Sequence, residues 1–180
     1  MLFMEVLGSQ SMEVSAPRKP RPPALMGFVL DDQEKDYWCW AAVALSIARY
    51  VKKAKFQRQC ELVKKVIKDC SEGCREKDCN TTSSTLDALT VHHQGIKAMP
   101  SATPLMPFDE IAKNLSMQNP VVCRVSRGKG SKHAVVIEEI TAAGKLSVRD
   151  PYQRPNKDWE GPWEYSEFES VCKSSFAVEK

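Results

Sequence analysis

The stretch YWCWAAVALSIARYVKKA, residues 37–54, has the pattern of a helix with one buried face. Its large and small apolar residues recur at helical spacing: Trp40, Val43, Ala44, Ile47 and Val51. Asp36 stands just before this pattern and is the expected N-cap. Cys39 therefore falls in the first turn of the predicted helix.

The segments that follow favour helices first and strands second. Helices are predicted over Gln59–Lys68, Ser84–His93 (capped by Ser83 or Ser84 and stopped by Gly95) and Phe108–Met117. Runs rich in β-branched residues predict strands over Val121–Val125, Ala134–Ile140, Lys145–Arg149 and Ser175–Val178. The turn Ala143-Gly144 should join two of them as a hairpin. This order predicts an α+β fold in which a helical lobe carrying Cys39 packs on an antiparallel sheet.

Four polar residues have the types and positions needed for acyl transfer by a thiol. His133 begins one strand of the predicted hairpin and Asp150 ends the other, so the two should be neighbours. Helix N-termini and nearby imidazolium groups favour an ionised cysteine. We expect Cys39 to be the nucleophile, His133 the base and acid, and Asp150 the group that orients the imidazole. The Cys39 backbone N–H and the Gln33 side-chain amide would hold the oxyanion.

Each of these residues also has an ordinary structural explanation. A cysteine on an apolar helix is usually a small core residue, and an Asp before a Pro is usually a turn residue. Trp38 and Trp40 are predicted to contact substrate but are equally consistent with core packing. The joint occurrence of Gln33, Cys39, His133 and Asp150 in this order is what favours a catalytic site.

Several short motifs, taken together, resemble the bacterial papain-like cysteine peptidases. They are Gln33-x5-Cys39-Trp40-Ala41-Ala42, Gln59-Cys60, Cys79-Asn80, Phe108-Asp109-Glu110-Ile111, Pro120-Val121, His133-Ala134-Val135-Val136-Ile137 and Asp150-Pro151. The most similar group is the avirulence-type effector proteases delivered by plant pathogens, with related toxin modules. The resemblance covers about residues 30–155 and implies a papain-like fold with a cleft between a helical lobe and a barrel-like β lobe. It also implies the triad Cys39, His133 and Asp150.

One departure from that pattern lies directly before the histidine. Such enzymes often have glycines there, whereas this chain has Gly128-Lys129-Gly130-Ser131-Lys132. Lys132 would place a positive charge beside the cleft. The stretch lacks the full pattern of a phosphate-binding loop, so nucleotide binding is not expected.

The seven cysteines include four within twenty residues: Cys60, Cys70, Cys74 and Cys79. Their spacing does not match the paired knuckles of structural zinc sites, so disulfides or reduced thiols are favoured over a metal site. We expect neither a metal nor a cofactor.

The rest of the chain limits its surroundings and partners. The net charge of +3 is too small to indicate nucleic acid or an anionic membrane as a partner, and no apolar run is long enough to cross a bilayer.

Residues 1–28, with prolines among basic residues in 16–23, are predicted to be a flexible linker or a docking peptide, and residues 29–180 the peptidase domain. Residues 1–8 make a poor signal peptide because no basic residue precedes the apolar run and Glu5 interrupts it. We therefore expect another export route, or release from a larger polypeptide.

The predicted function is a monomeric cysteine endopeptidase that cleaves specific protein targets. As a bacterial effector or toxin it would be secreted or delivered by a specialised secretion system, and would act in the target-cell cytoplasm. A cognate immunity or inhibitor protein is a possible partner. The same triad would also serve a thiol acyltransferase, transglutaminase or deamidase, since each passes through a thioester. A leader peptidase and a non-enzymatic binding module are further alternatives.

Overall fold

The computed structural model describes residues 22–70, 73–74, 77–92, 96–126, 132–152 and 159–179. The helices are α1 Cys39–Tyr50, α2 Gln59–Val66, α3 Thr85–His92, α4 Phe108–Ser116 and α5 Tyr165–Val171. The strands are β1 Lys97–Pro100, β2 Val121–Ser126, β3 Lys132–Ile140, β4 Leu146–Arg149, β5 Gly161–Trp163 and β6 Cys172–Glu179. Among the described residues, no helix has the length and apolarity to span a bilayer.

The strands form one antiparallel sheet, and the first three helices form a lobe against it. The strand order is β1-β6-β2-β3-β4-β5, and every neighbouring pair is antiparallel. Helices α1, α2 and α3 contact one another, and α1 also contacts β3. The predicted α+β architecture, a helical lobe packed on an antiparallel sheet, is confirmed, with Cys39 on the helical lobe and His133 on the sheet.

The core joins the two lobes into one continuous apolar cluster. Helix α1 is buried from Cys39 to Ala48, because its alanines allow close packing on both sides. The central strands β2 and β3 have near-continuous Val and Ile runs that are fully buried. Burial on both faces explains why these strands lack the polar alternation of a half-exposed sheet.

The hairpin between β3 and β4 is formed as predicted. The Thr141 N–H donates to the Lys145 carbonyl at 2.8 Å, and the Gly144 N–H donates to the Thr141 carbonyl at 2.9 Å. Gly144 has φ +77°, a left-handed conformation that glycine adopts without steric cost. This turn fixes the register that sets Ile137 opposite Val148.

The structure differs from the sequence analysis in two respects. The residue before α1 is Trp38, which makes no side-chain cap, so the prediction that Asp36 caps this helix is wrong. A turn closed by the Trp38 N–H to the Lys35 carbonyl, at 3.0 Å, occupies that position instead. The short elements β1, β5 and α5 were not predicted, since each has few residues and β1 and β5 contain a proline.

Residues 24–28, part of the predicted linker, pack against the domain. Ala24 forms a bridge with Glu139, Leu25 is buried, and Phe28 makes an edge-to-face contact with Tyr50. The division of the chain at residue 28 stays a prediction, but residues 24–28 already pack against the sheet and α1. The linker prediction for residues 1–21 and the stop at Gly95 lie outside the described residues.

Candidate active site

Cys39 is the first residue of α1, and its side chain lies at the junction of the two lobes. Its exposed fraction is 6%. The first N–H groups of a helix have no partner within the helix, so this end carries free donors and the positive end of the helix dipole. No acidic residue lies in the first turn of α1 to oppose a thiolate.

The two tryptophans beside Cys39 are anchored to one segment of the helical lobe. The Trp38 indole donates to the Cys79 carbonyl at 2.7 Å, and the Trp40 indole donates to the Thr81 carbonyl at 3.0 Å. Both rings are 1% exposed. Trp40 lines the cavity beside Cys39, whereas Trp38 does not border it. The structure therefore places Trp38 as an anchor of the helix start.

His133 and Asp150 meet across the β3–β4 hairpin. His133 Nε2 lies 2.6 Å from Asp150 Oδ1, and both residues are at most 3% exposed. The backbone N–H of Tyr152 donates to the same carboxylate oxygen at 2.8 Å. The Tyr152 ring meets the imidazole edge to face. The backbone that follows Asp150 thus fixes its carboxylate, and the carboxylate in turn orients the ring of His133.

The thiol of Cys39 lies beside His133, near enough to raise the pKa of the imidazole, and the other side of the ring is bonded to Asp150. Because Nε2 is engaged by Asp150, Nδ1 remains for the thiol. Burial lowers the pKa of His133, but the hydrogen bonds to Asp150 and Cys39 and the charges of both outweigh it, so the net pKa is raised above its usual value. A raised pKa favours the protonated form of the His133 imidazole.

Gln33 lies near this site but does not line the cavity. Its amide nitrogen donates to the carbonyls of Lys35 and Asp36, at 2.7 and 2.8 Å. Its Oε1 is buried and accepts no hydrogen bond from the described residues. The backbone N–H of Gln33 donates to the Pro151 carbonyl at 2.6 Å. In this conformation Gln33 holds the turn before Cys39, with both amide protons in use.

Two buried polar side chains hold the loop that leads to Cys39. Gln59 accepts from the Glu34 N–H at 3.0 Å and donates to the Asp32 carbonyl at 2.7 Å. The Ser46 hydroxyl accepts from the Asp31 N–H at 2.9 Å. Sequence reasoning did not assign this role to either residue. The available signal was a glutamine and a serine on otherwise apolar helix faces.

A cavity of about 620 Å³ opens beside Cys39 and His133. One wall is the start of α3 and the residues before it, numbers 82–86, and the other is the sheet. The cavity is also lined by Arg124 and Lys132. Lys132 therefore lies by the cleft, as its position next to His133 suggested. No feature of the sequence indicated that Arg124 would line the same cavity.

The clustered cysteines form two disulfides, Cys60–Cys74 and Cys70–Cys79. The sulfurs of Cys70, Cys74 and Cys79 lie within 4.8 Å of one another, a spacing that a metal site would also need, but here each is part of a disulfide. Cys39, Cys123 and Cys172 are free thiols and are buried.

Comparison with known proteins identifies the family. The sequence model of the family described as "papain-like cysteine protease AvrRpt2" matches residues 27–168. The structure is similar to the crystal structure of a double glycine motif protease from an AMS/PCAT transporter in complex with the leader peptide. The TM-score is 0.51 and the sequence identity 15%, over 89% of this chain and 100% of that one. No curated protein matches the chain significantly. Because the family match spans most of the chain and the fold agrees with it, the chain belongs to the papain-like cysteine protease family of AvrRpt2 and is a cysteine protease.

Proposed function

We propose that the protein is an endopeptidase that cleaves specific protein targets through Cys39, His133 and Asp150. The observation that carries the proposal is the placement of the Cys39 thiol, at the start of α1, in the same cavity as a His133 imidazole that is bonded to the Asp150 carboxylate. This cavity is large enough to hold a peptide side chain.

In the first half of the reaction, the Cys39 sulfur attacks the scissile carbonyl carbon. A sulfur–carbon bond forms and the carbonyl electron pair moves onto oxygen. When this tetrahedral intermediate collapses, the carbon–nitrogen bond breaks and His133 gives its proton to the leaving amine, which leaves a thioester. In the second half His133 takes a proton from water as the water oxygen attacks the thioester carbon. The carbon–sulfur bond then breaks, which releases the carboxylic acid product and leaves the Cys39 thiolate beside the protonated His133. Asp150 keeps the imidazole oriented throughout.

The negative oxygen of each intermediate requires hydrogen-bond donors. The Cys39 backbone N–H, one of the free donors at the start of α1, is the first. The Gln33 amide is proposed as the second. To do so, the amide must rotate and give up its hydrogen bond to the Lys35 or the Asp36 carbonyl. The rotation costs less because the buried Gln33 Oε1 has no hydrogen-bond donor to lose among the described residues.

The biological setting proposed is that of an effector delivered into the cytoplasm of a target cell. The family match and the motif set around Cys39 and His133 support it, since both point to avirulence-type proteases. A dedicated inhibitor that covers the cavity beside Cys39 is the corresponding proposed partner.

The test is N-terminal proteomics of a target-cell lysate treated with the purified protein or with Cys39→Ala. We expect a small set of new N-termini with the active protein and none with the variant, whose folding circular dichroism should show to be intact. An epoxysuccinyl probe should alkylate Cys39 faster than Cys123 or Cys172. Deamidated or crosslinked glutamines without new N-termini would instead assign the site to an acyltransferase or deamidase. Cleavage by Cys39→Ala would remove Cys39 as the nucleophile.

A further inference from the structure

The cavity beside Cys39 has a cationic side and no acidic one. Arg124 and Lys132 both line it, and no described residue that lines it is a carboxylate. Much of the remaining lining is hydroxyl groups, such as those of Thr82, Ser84 and Ser174, and apolar side chains, such as Leu86, Val122 and Phe176. The exposed Asp87 is on the first turn of α3, next to this wall, but does not line the cavity.

The register of the sheet places the two cations on the same face. Arg124 on β2 is opposite Ala134 on β3 and opposite Ser174 on β6. Lys132 precedes Ala134 by two residues, so its side chain lies on the same face as Arg124. Arg124 and Lys132 thus lie on the same face of two adjacent strands, and Lys132 is the residue directly before His133.

Some cations on the described surface have a carboxylate partner, which Arg124 and Lys132 lack. Arg49, Arg149, Lys97 and Lys145 each make an ion pair with a carboxylate, to Asp31, Glu138, Glu179 and Glu164 respectively. Within the described part of the chain, neither Arg124 nor Lys132 makes such a pair. Two cations without a carboxylate partner among the described residues, together with several hydroxyl donors, create a positive potential in this cavity, because a low-dielectric cleft focuses such a field.

We propose that this cavity is a subsite that selects an acidic side chain close to the cleaved bond, an inference that rests on the proposed endopeptidase function. The methylene stem of a glutamate or aspartate packs on the apolar part of the lining, and its carboxylate accepts hydrogen bonds from the Arg124 guanidinium and the Lys132 ammonium. Charge-assisted bonds of this kind are stronger than those to a neutral amide. A lysine or arginine at the same substrate position is repelled.

The test uses internally quenched peptide libraries in which one position at a time is Glu, Gln, Ala or Lys. For the wild-type protein we expect kcat/KM at one position to be about 10-fold higher with Glu than with Gln, and lower still with Lys. Arg124→Gln and Lys132→Gln should each reduce the Glu preference, and Arg124→Glu should reverse it toward Lys.

The matched control is Lys173→Gln, which removes one exposed positive charge from β6 without touching the cavity lining. It should keep the Glu preference of the wild type. The proposal is overturned if Glu and Gln are cleaved equally at every position, or if Arg124→Gln and Lys132→Gln retain the full preference. Absence of any cleavage, together with no selective alkylation of Cys39, would remove the proposed function itself and this subsite with it.

Discussion

His133 is under opposing influences that together set the working pH of the site. Burial disfavours its charged form, while the hydrogen bonds and charges of Asp150 and Cys39 favour it more strongly, so its pKa is raised. A group whose pKa is raised on folding stabilises the fold most below its unfolded pKa. That contribution is lost as the pH rises through the folded value. The ring therefore stays protonated to higher pH than a free histidine.

Replacement of Asp150 by Asn should move the alkaline limb of the kcat/KM profile to lower pH. The variant removes a hydrogen bond and a charge that raise the pKa of His133, so the imidazolium is lost earlier as pH rises. The measurement is the pH dependence of kcat/KM with a quenched peptide. Asp109→Asn, at the exposed start of α4, is the control and should leave the profile unchanged. An unshifted limb in Asp150→Asn would contradict the role given to this carboxylate.

Gln33→Ala distinguishes an oxyanion donor from an anchor of the turn before Cys39. Loss of the donor should lower kcat about 100-fold. Loss of the hydrogen bonds to Lys35 and Asp36 should lower the free energy of unfolding by about 1–3 kcal/mol. Steady-state kinetics and urea unfolding measure the two effects separately. A stability loss with unchanged kcat would leave Gln33 as an anchor only.

At the scale of elements, the start of α1 depends on a segment that is not part of any long helix or strand. The carbonyls of Cys79 and Thr81 accept the indole hydrogen bonds of Trp38 and Trp40, and the next residues form a wall of the cavity. Tyr37 is tied to the same segment through the Asn80 side chain. The disulfide from Cys70 to Cys79 holds its beginning, so covalent and hydrogen-bonded restraints meet beside the nucleophile.

The double variant Cys70→Ser/Cys79→Ser should lower the free energy of unfolding by about 3 kcal/mol, since it releases a loop of the unfolded chain. It should also raise KM, because the segment that anchors Trp38 and lines the cavity is loosened. Urea unfolding and quenched-peptide kinetics test the two effects. Cys60→Ser/Cys74→Ser is the control, with a comparable loss of stability expected but a smaller change in KM. Equal KM changes in both variants would contradict a specific link to the cavity wall.

The elements that were predicted from sequence are those with strong local patterns. The apolar spacing in α1 and the β-branched runs of β2 and β3 are local signals, and the turn at Gly144 fixes the pairing that brings His133 to Asp150. The direction of the Gln33 amide and the position of Arg124 in the cavity depend on the packing of distant segments, which no local pattern encodes. The role of Trp38 in substrate contact stays a prediction, and its buried indole N–H, which must find a partner, donates to the Cys79 carbonyl.

At the scale of the whole molecule, residues 24–28 cross from the sheet to the helical lobe. The Leu25 N–H donates to the Glu138 carbonyl on β3, and Phe28 packs on Tyr50 of α1. Gln118 joins the same contact: its amide donates to the Ala24 carbonyl at 2.8 Å and its Oε1 accepts from Tyr50 at 2.9 Å. Residues 24–28 are thus a strap between the lobes.

A protein that begins at residue 22 should be as stable as the full chain, whereas one that begins at residue 29 should be less stable. The second truncation removes the buried side chains of Leu25 and Phe28, and burial of each contributes about 1.5–3 kcal/mol. Thermal and urea unfolding of both truncations provide the measurement. Leu25→Ala in the full chain should reproduce part of the loss. Equal stability of the two truncations would show that the strap contributes nothing.

The backbone hydrogen bond from Gln33 to Pro151 has a mechanical consequence. It ties the loop before the nucleophile to the residue directly after Asp150 at 2.6 Å, so the two halves of the molecule are pinned next to the reacting groups. Motion of one half against the other is smallest at a pivot and grows with distance from it. We expect this bond to restrain the separation of the Cys39 sulfur and the His133 imidazole more than it restrains the mouth of the cleft.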